Sequence, residues 1–210
     1  MGCNVSVLDG GTRGRASKAG SLSKKCSVNV QNSIVTKGDK FDARIPLTVR
    51  QKFNIMKSWK GIARNMSDTG ILMFLRLFET NEEVRSMFTK LVHGGKYDFV
   101  ELRESKELEN HVKQVMYTLD EAISSLDDVD GVVKLLHAVG NSHRRLQSRG
   151  FNPAIFWKIE EPFLIAVKET LGDRYTANME HIYQKTIKFI LETLIEGFGF
   201  DVSMFDTETP

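Results

Sequence analysis

Apolar residues recur at steps of three and four along residues 48–198, and the strict alternation of a half-buried strand persists nowhere. Such steps place an apolar stripe on one side of a helix, so the body is expected to be all-α. Thr48 and Gln51 read as a capping box, and Phe53, Ile55, Met56, Trp59 and Ile62 follow as a first helix to about Arg64. A second helix has Ser67 or Asp68 as its cap and Gly70, Phe74, Leu75 and Phe78 inward. Gly70 would let a crossing helix come close, having no side chain of its own. A short helix is expected over Asn81 to Phe88, then a loop over 92–104 with room for one helical turn.

Two longer stripes follow. Leu108, Val112, Val115, Met116, Leu119, Ile123 and Leu126 form one; Val132, Leu135, Leu136, Val139 and Leu146 form the other, with 127–131 as a connector. Asn152-Pro153 is a cap followed by proline in the first turn. It starts a helix through Phe156, Ile159, Phe163 and Ile165 to Leu171-Gly172. The last helix runs from about Tyr175 through Ile182, Ile187, Ile190, Leu191 and Leu194, and is expected to end at Gly197 and Gly199.

Composition fits one helical domain with extensions. The chain has 210 residues, 41% of them hydrophobic and 27% charged, enough for a core under a solvated surface. Its net charge of +2 hides an asymmetry. Residues 1–38 hold Arg13, Arg15, Lys18, Lys24, Lys25 and Lys37 against Asp9, leaving 23 basic and 26 acidic groups elsewhere. The basic residues thus gather in a leader and not on one face of the body, so no nucleic-acid partner is expected. Both cysteines, Cys3 and Cys26, lie in that leader and give no disulfide framework, which fits a reducing compartment.

The leader opens Met1-Gly2-Cys3-Asn4-Val5-Ser6, the pattern for N-myristoylation on Gly2 once Met1 is removed. Cys3 beside it is a candidate for S-palmitoylation. One myristoyl chain binds a bilayer only marginally, so a second signal from Cys3 or the cations matters. The expectation is a disordered, lipidated leader over 1–45, a helical domain over 46–199 and a tail over 200–210. Membrane lipids would be partners through the N-terminus, on the cytoplasmic face of the plasma membrane.

The two long stripes each carry a histidine in register: His111, three after Leu108, and His143, four after Val139. One buried imidazole is ordinarily satisfied by one hydrogen bond; two, on separate helices, suggest a shared metal. Glu-x-x-His, His-Glu-x-x-His and Cys-x-x-Cys are all absent, so di-iron and ordinary zinc sites lack their ligands. Two neutral imidazoles in an apolar pocket suit haem iron. The Val139 carbonyl and Ser142 are local partners for the second nitrogen of His143.

These features resemble the globin family over 46–199, and most of all its neuroglobin and globin X group. The resemblance implies a globin fold, helices A to H around a pocket for haem b (iron protoporphyrin IX). It makes His143 the proximal iron ligand and His111 the distal residue, a possible second ligand. Phe74, Phe88, Val115, Val139, Phe151 and Phe156 would contact the cofactor, and Trp59 matches a tryptophan common in the first globin helix. Two positions depart from the pattern: Glu82 stands where a proline is usual, and Gln114 where a basic residue meets a propionate. Lys90, Arg144 or Arg145 are the candidates to replace it.

The resemblance leaves two modes open. With both histidines on iron the protein would serve redox chemistry, of nitrite reductase or nitric oxide dioxygenase type, or sensing of oxygen, nitric oxide or nitrite. Its partners would be diatomic gases and a reductase that the sequence does not identify. With His111 off the iron it would be a reversible oxygen carrier or store. From another class, the same helices could form a lipid-anchored interaction module without cofactor, in which His143→Ala would leave fold and partners intact.

Overall fold

The computed structural model describes residues 42–88 and 99–199; the lipidation motif at Gly2 and Cys3, the rest of the leader and the tail lie outside them. Every regular element among the described residues is helical. In order these are α1 (Val49–Ala63), α2 (Met66–Thr80), α3 (Glu82–Met87), α4 (Phe99–Glu104), α5 (Lys106–Ser124), α6 (Val129–His143), α7 (Ala154–Trp157), α8 (Glu160–Leu171) and α9 (Ala177–Phe198). None of these helices is long and apolar enough to cross a membrane.

The capping box forms as read. Gln51 N–H donates to Thr48 Oγ1 at 3.3 Å and Thr48 N–H to Gln51 Oε1 at 2.9 Å. From there Ile55, Trp59 and Ile62 enter the core. Phe53 does not: it is 64% exposed. Two residues before Ile55, it stands about 200° round the helix from it.

Other boundaries shift for local reasons. α2 starts at Met66, ahead of the expected caps, because Thr69 N–H and Thr69 Oγ1 both bond to the Asn65 carbonyl and add a turn. α6 starts at Val129 inside the expected connector, where the Asp128 carboxylate accepts from Gly131 N–H at 3.1 Å. The helix expected from Pro153 is broken: α7 ends at Trp157 and α8 restarts at Glu160. Pro162 explains the restart, since it has no N–H to give the Lys158 carbonyl and is tolerated only in a first turn. Thr176 caps α9 by accepting from Met179 N–H, two residues later than a start at Tyr175 would need.

α2 packs on α5 and α8, and α6 on α9. Trp59, Phe78, Tyr183 and Phe198 are among the largest fully buried side chains, each contributing roughly 1.5–3 kcal/mol by leaving water. Close crossings fix the two histidine helices. A Cβ on Gly70 of α2 would meet Val112 Cγ1 at 2.5 Å and Met116 Cγ at 2.6 Å, so only glycine lets α5 lie so near. A Cβ on Gly140 of α6 would strike the Leu194 carbonyl oxygen, and one on Gly197 of α9 the backbone of His137. Gly197 is therefore a crossing point within α9 rather than its end. Gly199 ends that helix in the left-handed region, at φ 91°.

Candidate functional site

Between these helices lies a cavity of about 420 Å³, within the range of cofactor pockets. His111 of α5 and His143 of α6 both line it, with Phe74, Phe88, Val115, Val139, Phe151 and Phe156. All eight pocket positions singled out in the sequence thus come to one space. Of the cations considered for a propionate, Arg145 lines the cavity with Gln114, Arg144 does not, and Lys90 lies outside the described residues.

His143 is the last residue of α6. Its Nδ1 lies 2.9 Å from the Val139 carbonyl oxygen, which can only accept. The ring proton therefore sits on Nδ1, and Nε2 keeps the free lone pair. Ser142 Oγ donates to the same carbonyl at 2.7 Å and lies 3.4 Å from Nδ1. Phe151 and Phe156 pack against the ring, with centroids 5.3 and 5.0 Å away.

The His111 ring meets the edges or faces of Phe74 and Phe88, at 5.3 and 5.2 Å between centroids. Phe78 packs against both phenylalanines and closes the cluster. Among the described residues no side chain or carbonyl hydrogen-bonds to either nitrogen of His111. Burial, with a smaller contribution from His143, holds its pKa down to about 4. Burial also lowers His143, opposed by the Val139 carbonyl. Both rings are neutral near pH 7 and able to donate a lone pair to a metal.

The donor set fits haem. Among the described residues no group of three or more His, Cys, Asp or Glu could hold a bare metal ion. Two imidazoles on opposite walls suffice only if the metal brings its remaining ligands, as a porphyrin does. Apolar walls from Met73, Leu77, Phe163, Ile190 and Leu191 suit a macrocycle, and Gln114, Thr118 and Arg145 provide a polar side for carboxylates.

Several lining residues were not distinguished beforehand, among them Met73, Met87, Thr118 and Ile155. The apolar ones signal only as helix positions that core packing fills equally well, and Thr118 carries no signal at all. His137 bonds Glu196 at 3.3 Å, and His181 is exposed; neither lines the cavity.

Comparison with known proteins agrees with this geometry. Residues 71–194 match the globin family. Neuroglobin of Chaenocephalus aceratus is 28% identical over 153 residues, 73% of this chain and 93% of that protein. Cytoglobin-1 of Oryzias latipes is 29% identical over 137 residues, 65% of this chain and 73% of that one. A solved structure of a hexacoordinated haem protein from an anhydrobiotic tardigrade superposes with a TM-score of 0.71 at 33% identity, covering 76% of this chain and 100% of that one. With its helices, its histidine pair and more than half its length matching, the chain belongs to the globin family, as a haem-binding globin of the neuroglobin group.

Proposed function

We propose that this globin is a membrane-attached, bis-histidine haem protein acting in redox chemistry or in sensing oxygen, nitric oxide or nitrite. The observation that carries the reading is His111: a neutral, half-buried imidazole that lines the same cavity as His143 and has no hydrogen-bond partner among the described residues. With haem filling the cavity and shutting out water, that imidazole would need a partner, and ligation would supply one. The hexacoordinated haem protein among the structural relatives is further support.

Haem, when bound, supplies an iron centre that takes up diatomic gases and exchanges single electrons. The protein's part is positioning and exclusion. His143 holds Nε2 as a permanent donor through the bond from Nδ1–H to the Val139 carbonyl. His111, packed against Phe74 and Phe88 with no hydrogen bond to hold its ring among the described residues, would be free to give way to an entering gas. The apparent affinity for the gas would then be the open-site affinity reduced to the fraction of protein in which His111 has swung away. The phenylalanines exclude water, and Arg145 offers its guanidinium to a propionate.

Rapid mixing of the reduced protein with carbon monoxide tests this. A rate that levels off with gas concentration is expected, because departure of His111 becomes limiting. A rate rising linearly to the highest concentration would favour an open site and an oxygen carrier. Attachment is tested separately: Gly2→Ala should move the protein from the membrane to the soluble fraction, and an unchanged distribution would refute lipidation as the tether.

A further inference from the structure

We infer that the outer face of α1 is a second membrane contact, a cationic and apolar patch that lies on an anionic lipid surface. Between Pro46 and Asn65 the chain has five cations, Arg50, Lys52, Lys57, Lys60 and Arg64, and no acid. The surrounding body has an excess of acids, so this helix stands out. Lys52 turns aside to pair with Asp127 at 2.8 Å.

The other four share one side. At about 100° per residue they fall within an arc of about 80°, opposite the buried Ile55, Trp59 and Ile62. All four are exposed, and none has an ion-pair partner among the described residues. Phe53 lies in the middle of this arc at 64% exposed, with Val49 beside it at 44%. From sequence alone the basic residues gather in the leader and on no one face of the body; helix register shows this patch on α1 instead.

Cations surrounding an exposed phenylalanine match the chemistry of a bilayer interface. Lysine and arginine meet lipid phosphates and carboxylates, while the aromatic ring enters the apolar boundary beneath. The chain's order fits too, since α1 is the first helix after the leader that carries Gly2 and Cys3. The inference deepens the membrane reading above and rests on it for its setting, though the patch itself needs no acyl chain. Leader and patch together would hold the globin body against the lipid in one orientation instead of letting it swing on a tether.

The test uses the full-length, haem-loaded chain with Cys3→Ser and Cys26→Ser, and an environment-sensitive fluorophore on Phe53→Cys or, as control, on Tyr117→Cys. Tyr117 is 65% exposed on α5. Vesicles containing phosphatidylserine should shift emission to shorter wavelength at position 53 and not at 117; pure phosphatidylcholine vesicles should shift neither. In the unlabelled chain, Lys57→Gln with Lys60→Gln should weaken partitioning about twenty-five-fold, at about fivefold per cation. High salt should have the same direction of effect. Co-sedimentation with vesicles without a shift at 53 would overturn the inference and leave binding to the leader. So would a loss of less than twofold in the double variant, or a shift given by duplex DNA and not by lipid. A shift at 53 in a protein whose membrane fraction ignores Gly2→Ala would uphold the patch and refute the acyl tether.

Discussion

The two walls of the cavity each present one histidine among phenylalanines, yet they are built differently. On the α6 side, His143 is locked: a backbone carbonyl fixes its tautomer at 2.9 Å. Gly140 behind it lets the helix rest directly on α9 backbone at Leu194. On the α5 side, His111 packs against the rings of Phe74 and Phe88 with no hydrogen bond to its nitrogens among the described residues, and its helix is held near α2 by side chains, Val112 and Met116, over Gly70. Backbone cannot yield without moving a whole helix, whereas a methionine side chain can change rotamer. One wall is built to keep its histidine in place and the other leaves its histidine free to move.

The largest expected effect follows from removing the fixed ligand. His143→Gly should lose haem on gel filtration, while His111→Leu retains it; a measured haem-to-protein ratio that falls equally in both would erase the distinction. The glycines come next. Gly140→Ala drives a methyl into the Leu194 carbonyl and should cost more than 3 kcal/mol or prevent folding, as overpacking against backbone exceeds the usual ~1–3 kcal/mol. Gly70→Ala meets Val112 and the flexible Met116 and should cost about 1–3 kcal/mol by denaturant melts. Equal losses would mean that both crossings are equally rigid.

Acid provides a third contrast. His111 titrates at about 4 in the folded apoprotein and near 6.5 when unfolded. Between those values the unfolded chain binds more protons, so stability falls as pH drops from about 6.5 to 4 and this contribution levels off below. The shift corresponds to about 3 kcal/mol, and His111→Leu should remove that part of the pH dependence. His143 is shifted in the same direction, so a smaller slope should remain in the variant. An unchanged profile would show that His111 is not buried in the apoprotein. Smallest of all, Arg145→Gln should speed haem loss by no more than about fivefold, the worth of one exposed ion pair.

Much of the architecture was legible because it depends on neighbours in sequence. The Thr48 and Gln51 box, the stripe from Leu108 to Ile123 and the Val139 partner of His143 are all contacts within one or two helical turns. What misled depended on phase or on distant packing. Phe53 is apolar but out of phase with Ile55, so membership of the helix did not say which way it faces. Gly197 looks like a terminator, since glycine is common at helix ends; only the crossing of α6 gives it another reason. The restart at Glu160 turns on the missing N–H of Pro162. The pocket divides along the same line. His111 and His143 stand out as polar groups on apolar stripes, whereas Met73 and Ile155 cannot be told from core, because a haem pocket and a core are lined by the same side chains.

The claim that the soft wall supplies a displaceable iron ligand is tested most directly by the visible spectrum of the dithionite-reduced protein under nitrogen, beside that of His111→Leu. Sharp, resolved low-spin bands in the natural protein, replaced by a broad high-spin envelope in the variant, are the expected result. A broad high-spin spectrum in both would contradict it, leaving His111 as a free distal residue over an open site.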